Sequence, residues 1–167
     1  MHQFKKLFLV CAIAMFTGAA NAENIPPQPP VRPCASSPML PDPLIDPQSP
    51  LAQYRTIYFD VNSIAIKDEF QSLIEAHGAL LRGDPTRNVP SRRIRIMGNA
   101  DDRGSYEYNQ ALGAARAEAV FRALVACGVQ KERMSVWSIG RERIKAKGRD
   151  EASRAENRRV DIEYVTD

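Results

Sequence analysis

Histidine is scarce in this chain of 167 residues, which has only His2 and His77. Metal centres and acid–base sites draw heavily on imidazole, and the sequence holds no HExxH, nucleophile elbow or phosphate loop. His77 falls on the apolar face of a helical stretch and reads as a core residue. Asp101 and Asp102 have no cluster of further metal ligands nearby in sequence. No enzyme, metal or cofactor is expected. A dominant charge is also lacking, since the formal net charge is +3, whereas a nucleic-acid-binding domain is strongly basic. Long apolar runs are missing as well, because LFLVCAIAMF is too short for a comfortable membrane span.

That run instead sits where a secretory signal needs it. MHQFKK precedes it and Ala20, Asn21 and Ala22 offer a cleavage site, so 1–22 reads as a signal peptide and export to the periplasm follows. Val10 stands immediately before Cys11 where a lipidation signal would have a small residue, so lipidation is not expected. Loss of Lys5 and Lys6 with the signal lowers the charge to +1. Cys34 and Cys127 then remain. An oxidising compartment permits a disulfide between them, and the alternative is a small buried thiol at Cys127.

Ten of the twelve prolines lie in 23–50, which has no helical or strand period. This segment reads as an extended proline-rich linker, acting as a spacer or offering a motif to an envelope partner. The domain proper, 51–167, alternates in period. YRTIYFDV reads as a strand with Ile57, Phe59 and Val61 on one face, and a helical face follows from Ile66 to Leu81. RRIRIMG is a second strand, Ser105 caps a helix running to Cys127, and MSVWSIG, with Trp137 and Ile139 on one face, is a third strand. A short helix at 151–157 leads to RRVDIEYV. Strands alternating with amphipathic helices predict an α/β two-layer sandwich.

The run NADDRGSYEYNQALGAARAEAV carries the most specific chemistry. On a helix at ~100° per residue, Leu112, Ala115, Ala119 and Ala123 form an apolar stripe, and Asn109, Gly113 and Arg116 border it. Arg116 therefore has two readings. It pairs with Asp101 or Asp102 to pin the loop, or it holds a carboxylate while an aspartate accepts an ammonium, which together describe an amino-acid zwitterion.

GNADDRGSYEYNQALGAARAEAV, with FDVNSIAIKDEF before it and ENRRVDIEY at the end, resembles the OmpA-like peptidoglycan-binding domain of OmpA, Pal and MotB-type proteins. The central motif is most like Pal's. The resemblance covers roughly 57–164 and implies a βαβαβ(αβ) order with helices on a mixed four-stranded sheet. It also implies non-covalent binding of peptidoglycan through the zwitterionic end of meso-diaminopimelate. Asp101 takes the family position for the ammonium and Arg116 that for the carboxylate. Asn109 orders the helix and loop, and Phe59 and Asp60 flank the pocket. Asn157, Arg158 and Arg159 match the closing motif and are expected to pack and pair, with Arg158 the lesser site candidate. Asn99 stands where the family usually has histidine, and Asp102 is assigned to turn chemistry. The expectation is thus a periplasmic, wall-associated protein that tethers an envelope component. The alternative is a scaffold of an envelope or secretion complex, acting through the proline-rich segment or Arg82, Arg87, Arg92 and Arg93.

Overall fold

A computed structural model describes residues 24–34, 55–82 and 93–165. The expected signal peptide, 35–50 of the linker, Tyr54, and the loop with Arg87 and Arg92 lie outside the described residues. The elements are β1 (Thr56–Tyr58), α1 (Gln71–Arg82), β2 (Arg93–Asn99), α2 (Tyr106–Ala126), β3 (Met134–Gly140), α3 (Glu151–Asn157) and β4 (Arg159–Val165). The sheet order is β1-β4-β2-β3. β2 and β3 are parallel because α2 carries the chain back between them. β4 enters between β1 and β2, antiparallel to both.

Register places the apolar side chains under the helices. Ile57 pairs with Val160, Ile96 with Ile162 and Ile94 with Tyr164, and all six are buried. The opposite face is polar, with Arg95 beside Glu163 at 3.4 Å. β3 forms one edge. Its Val136 packs towards the core, whereas Trp137 is left 56% exposed. His77 lies in the core, its Nδ1 2.7 Å from the Tyr164 hydroxyl.

Three local features differ from the periodicity. β1 stops at Tyr58, and Val61 lies in a turn, 52% exposed, before Asn62 at φ 49°, a left-handed conformation that asparagine tolerates. The α1 region opens on a 3₁₀ turn at Asp68–Phe70 rather than at Ile66. In α2, capped by the Ser105 hydroxyl accepting from the Tyr108 amide at 3.1 Å, the buried set is wider than the predicted stripe. It takes in Asn109, Gly113, Arg116, Ala117, Val120 and Leu124, while Ala115 of the predicted stripe is only half-buried, so Arg116 lies inside the core, not at its border. The cause is cover on several sides, by the sheet, by the β1–α1 loop and by residues 24–34.

Those residues lie along the domain rather than away from it. Gln28 donates to the Ala115 carbonyl at 3.1 Å, Arg32 pairs with Asp68 at 2.9 Å, and Cys34 is disulfide-bonded to Cys127. Arg82 is exposed and donates to the Cys127 carbonyl.

The approach of α2 to β2 rests on two glycines. A Cβ on Gly98 would stand 1.8 Å from the Gly113 carbonyl oxygen, and one on Gly113 would meet the Gly98 oxygen at 2.7 Å. Backbone touches backbone there, and neither can yield as a side chain would. Gly98→Ala should therefore lower stability by about 3 kcal/mol or more in urea unfolding; a change under about 1 kcal/mol would show that the close approach is not needed.

Candidate functional site

At the end of the sheet where β1 and β2 run into their loops, a cleft of about 260 Å³ opens. It is lined by Asp101, Arg103 and Gly104 from the β2–α2 loop, Tyr108, Asn109, Leu112 and Arg116 from α2, Val61 and Asn62 from the β1–α1 loop, and Arg158. The Gly98–Gly113 contact brings these loops together, because it seats α2 directly over the end of β2.

Arg116 is fully buried, and its guanidinium takes neither aspartate. Nε donates to the Ser63 carbonyl at 2.9 Å, Nη1 to the Asn99 carbonyl at 3.0 Å and Nη2 to the Asp60 carbonyl at 3.2 Å. The Phe59 ring centroid lies 5.4 Å from its central carbon. Burial pulls its pKa down to about 10, against the raising field of Asp101, and it remains cationic at neutral pH. Of the two readings of Arg116, the ion pair with Asp101 or Asp102 is not formed, and three backbone carbonyls take its donors. A guanidinium has five N–H donors, so two remain outside these bonds.

Asp101 takes other arginines. Arg103 Nη2 lies 2.6 Å and Arg158 Nη1 3.2 Å from its Oδ2, and the Arg103 amide donates to Oδ1 at 3.1 Å. Glu151 then meets Arg158 at 2.7 Å and Arg103 at 3.6 Å. Two carboxylates and two guanidiniums alternate around a closed ring. Burial raises the Asp101 pKa, but the hydrogen bonds from Arg103 and Arg158 outweigh it, and the group titrates below its ordinary 3.8.

The other named residues divide. Asn109 donates to the Arg103 carbonyl at 2.7 Å and so orders the loop. Phe59 is buried beneath Arg116 rather than lining the cleft. The Asp60 carboxylate pairs with Lys67 at 3.2 Å, and this residue meets the site through its carbonyl. Asp102 goes beyond turn chemistry, bonding Arg154 of α3 at 2.8 Å. The Asn99 amide donates to the Met97 carbonyl and to Asp161. The Asn157 amide braces the loop at 145–146, and Arg159 pairs with Asp161. Sequence reasoning missed Arg103 and Tyr108, whose hydroxyl bonds the Asn62 side chain across the cleft. The signal for Arg103 was a basic residue two after Asp101, within reach through an aspartate turn.

Comparison with known proteins agrees with this architecture. Residues 58–158 match the model of the OmpA family. This chain belongs to the OmpA family. Among curated OmpA-family relatives, the peptidoglycan-associated lipoprotein of Pasteurella multocida is 38% identical over 112 residues, which cover 67% of this chain and 71% of that protein. The Pseudomonas aeruginosa lipoprotein of the same name is 38% identical over 115 residues, covering 69% of this chain and 65% of the relative. The crystal structure of the Burkholderia pseudomallei peptidoglycan-associated lipoprotein aligns with TM-score 0.65 at 48% identity, over 74% of this chain and all of that one. The C-terminal domain of Helicobacter pylori MotB aligns with TM-score 0.58 at 27% identity, over 67% of this chain and 84% of that one.

Two outcomes follow from the geometry of this OmpA-family cleft. Arg116→Ala removes three buried charge-assisted hydrogen bonds to backbone carbonyls and should cost about 3 kcal/mol or more by urea unfolding; a change below about 1 kcal/mol would show that those bonds are idle. The depressed pKa of Asp101 means stability that is present above its unfolded pKa and lost as pH falls through its folded one. Between pH 5 and pH 2, wild type should therefore lose more stability than Asp101→Asn, read as the shift in urea midpoint. Parallel pH profiles would remove Asp101 from the acid limb.

Proposed function

We propose that this domain is a periplasmic, non-catalytic peptidoglycan-binding module that tethers an envelope component to the wall by gripping the zwitterionic end of meso-diaminopimelate. The observation that carries the reading is the ring of alternating charge at the cleft. Asp101 already holds a cation, the Arg103 guanidinium, at 2.6 Å. A ligand ammonium takes that place, and the ligand carboxylate meets the guanidiniums at the cleft, with the free N–H donors of Arg116 at its base. The exchange replaces one neutral set of paired charges by another, so no unpaired charge is buried. Asn109 keeps the Arg103 backbone in place while the Arg103 side chain leaves. The names of the Pasteurella and Burkholderia relatives support the wall as partner, and the signal-like residues 1–22 support export.

Co-sedimentation with purified sacculi tests the reading. Wild type should pellet with walls built on diaminopimelate and stay in solution with walls that carry lysine at that position of the stem peptide. Asp101→Asn, shown to be folded by circular dichroism, should lose about 2 kcal/mol or more of binding, at least a tenfold weakening. Equal retention by both wall types, or an unchanged Asp101→Asn, would sink the proposed ligand or the proposed residue respectively.

A further inference from the structure

The sheet packs α1 and α2 against one side, and its other side carries a different cover. On that side β2 presents Arg95 and Met97 and β3 presents Ser135 and Trp137, with the register setting Met97 beside Trp137. The segment 141–150, which joins β3 to α3, crosses this face. The Arg143 guanidinium reaches the Met97 sulfur at 3.7 Å, the Arg159 guanidinium donates to the Arg143 carbonyl at 3.2 Å, and the Lys145 ammonium stands 5.1 Å over the Tyr58 ring of β1. The Asn157 side chain accepts from the Lys145 and Ala146 amides at 2.8 and 3.1 Å, so the crossing is held in place. Ile144, between the two anchored cations, is left 53% exposed, and Trp137 is 56% exposed. Two of the four exposed large apolar side chains among the described residues therefore belong to this face.

The charge of the crossing is one-sided. RERIKAKGR, residues 141–149, carries five cations and one acid, a formal +4, whereas the whole chain carries +3, so everything outside this segment sums to −1. The one acid, Glu142, bonds the Tyr106 hydroxyl of α2 at 2.9 Å. Asp150, next in the chain, caps α3 by accepting from the Ser153 amide at 2.9 Å. On the strands the charges balance, with Arg95 against Glu163 and Arg159 against Asp161. Along the crossing they do not. Lys145 has Glu156 at 3.9 Å, while Arg143, Lys147 and Arg149 are exposed and form no ion pair among the described residues.

Unpaired cations around an exposed indole and an exposed isoleucine match the chemistry of a membrane interface. Lys and Arg are drawn to anionic headgroups, an indole settles at headgroup level, and an aliphatic side chain enters the acyl boundary. A bilayer asks for exposed charge and apolar tips rather than a pocket, and none of these side chains lines the cleft. We propose that this face docks on an anionic phospholipid surface. Trp137 and Ile144 enter between the headgroups, and Arg143, Lys145, Lys147 and Arg149 meet the phosphates. The inference rests on the wall-binding reading above only for its purpose: the envelope component tethered to the wall is then the membrane itself. The lipid contact does not depend on which ligand the cleft binds.

Trp137 is the only tryptophan of the chain, so its emission reports on this face alone. The test titrates the full chain with vesicles of phosphatidylethanolamine and phosphatidylglycerol. The emission should shift to the blue and be quenched by brominated acyl chains, and both effects should weaken as salt rises. Vesicles of phosphatidylcholine should leave it unchanged. Lys147→Gln with Arg149→Gln, which takes away no ion pair of the fold, should raise the lipid concentration at half-shift at least about tenfold. Ile144→Ser should raise it about threefold or more, and urea midpoints equal to that of wild type show that both variants are folded. Unshifted emission from protein that floats with the anionic vesicles overturns the proposal, because another segment then makes the contact. An equal shift on phosphatidylcholine overturns it, as does an unchanged half-point in the cation variant. A shift given by polyglutamate but not by vesicles assigns the face to an acidic protein partner and overturns it too. Asp101→Asn should lose sacculi and keep the lipid response. Loss of the lipid response with sacculus binding intact sinks the membrane contact alone, and the reverse sinks the wall reading alone.

Discussion

The buried guanidinium of Arg116 holds the cleft end of this domain together. One side chain from the middle of α2 donates to carbonyls at Asp60, Ser63 and Asn99, so the β1–α1 loop and the end of β2 are tied to the helix through a single planar group. A planar fork can satisfy several backbone carbonyls at once. The arrangement requires α2 to lie hard against β2. Gly98 and Gly113 supply that approach, and the ring of Phe59 lies beneath the charge.

On this foundation the charged ring of Asp101, Arg103, Glu151 and Arg158 acquires its shape. Three separate parts of the chain contribute to it: the β2–α2 loop, the first turn of α3 and the residue that joins α3 to β4. Because its charges balance, the ring can stand partly buried without a ligand and can exchange partners without stranding one. Asp102 and Arg154 add a second bond between the same loop and α3.

Much of this was readable in advance, and the misses share a cause. Ser105 and the alternation in RRVDIEYV marked α2 and β4 because caps and strand faces are local signals. Asp101 and Asn109, both of which line the cleft, belong to a motif whose residues lie close together in sequence. Arg116 was singled out, with an ion pair and a carboxylate-holding role as its two readings, but nothing local says that carbonyls from residues 60, 63 and 99 converge on it. The wider burial of α2 was hidden because a helix covered by a sheet, a loop and a strap no longer has one apolar stripe.

The sequence by itself therefore determined the alternation of strands and helices, the cap that starts α2, and the few charged residues placed near a turn and a helix start. Only the tertiary structure decided which of those charges meet. It put β4 between β1 and β2, thereby bringing Arg158 to Asp101, and it laid 24–34 on α2 where composition read a free spacer. Such choices rest on contacts between distant segments, whose energies depend on what else is packed there and leave no periodic trace along the chain.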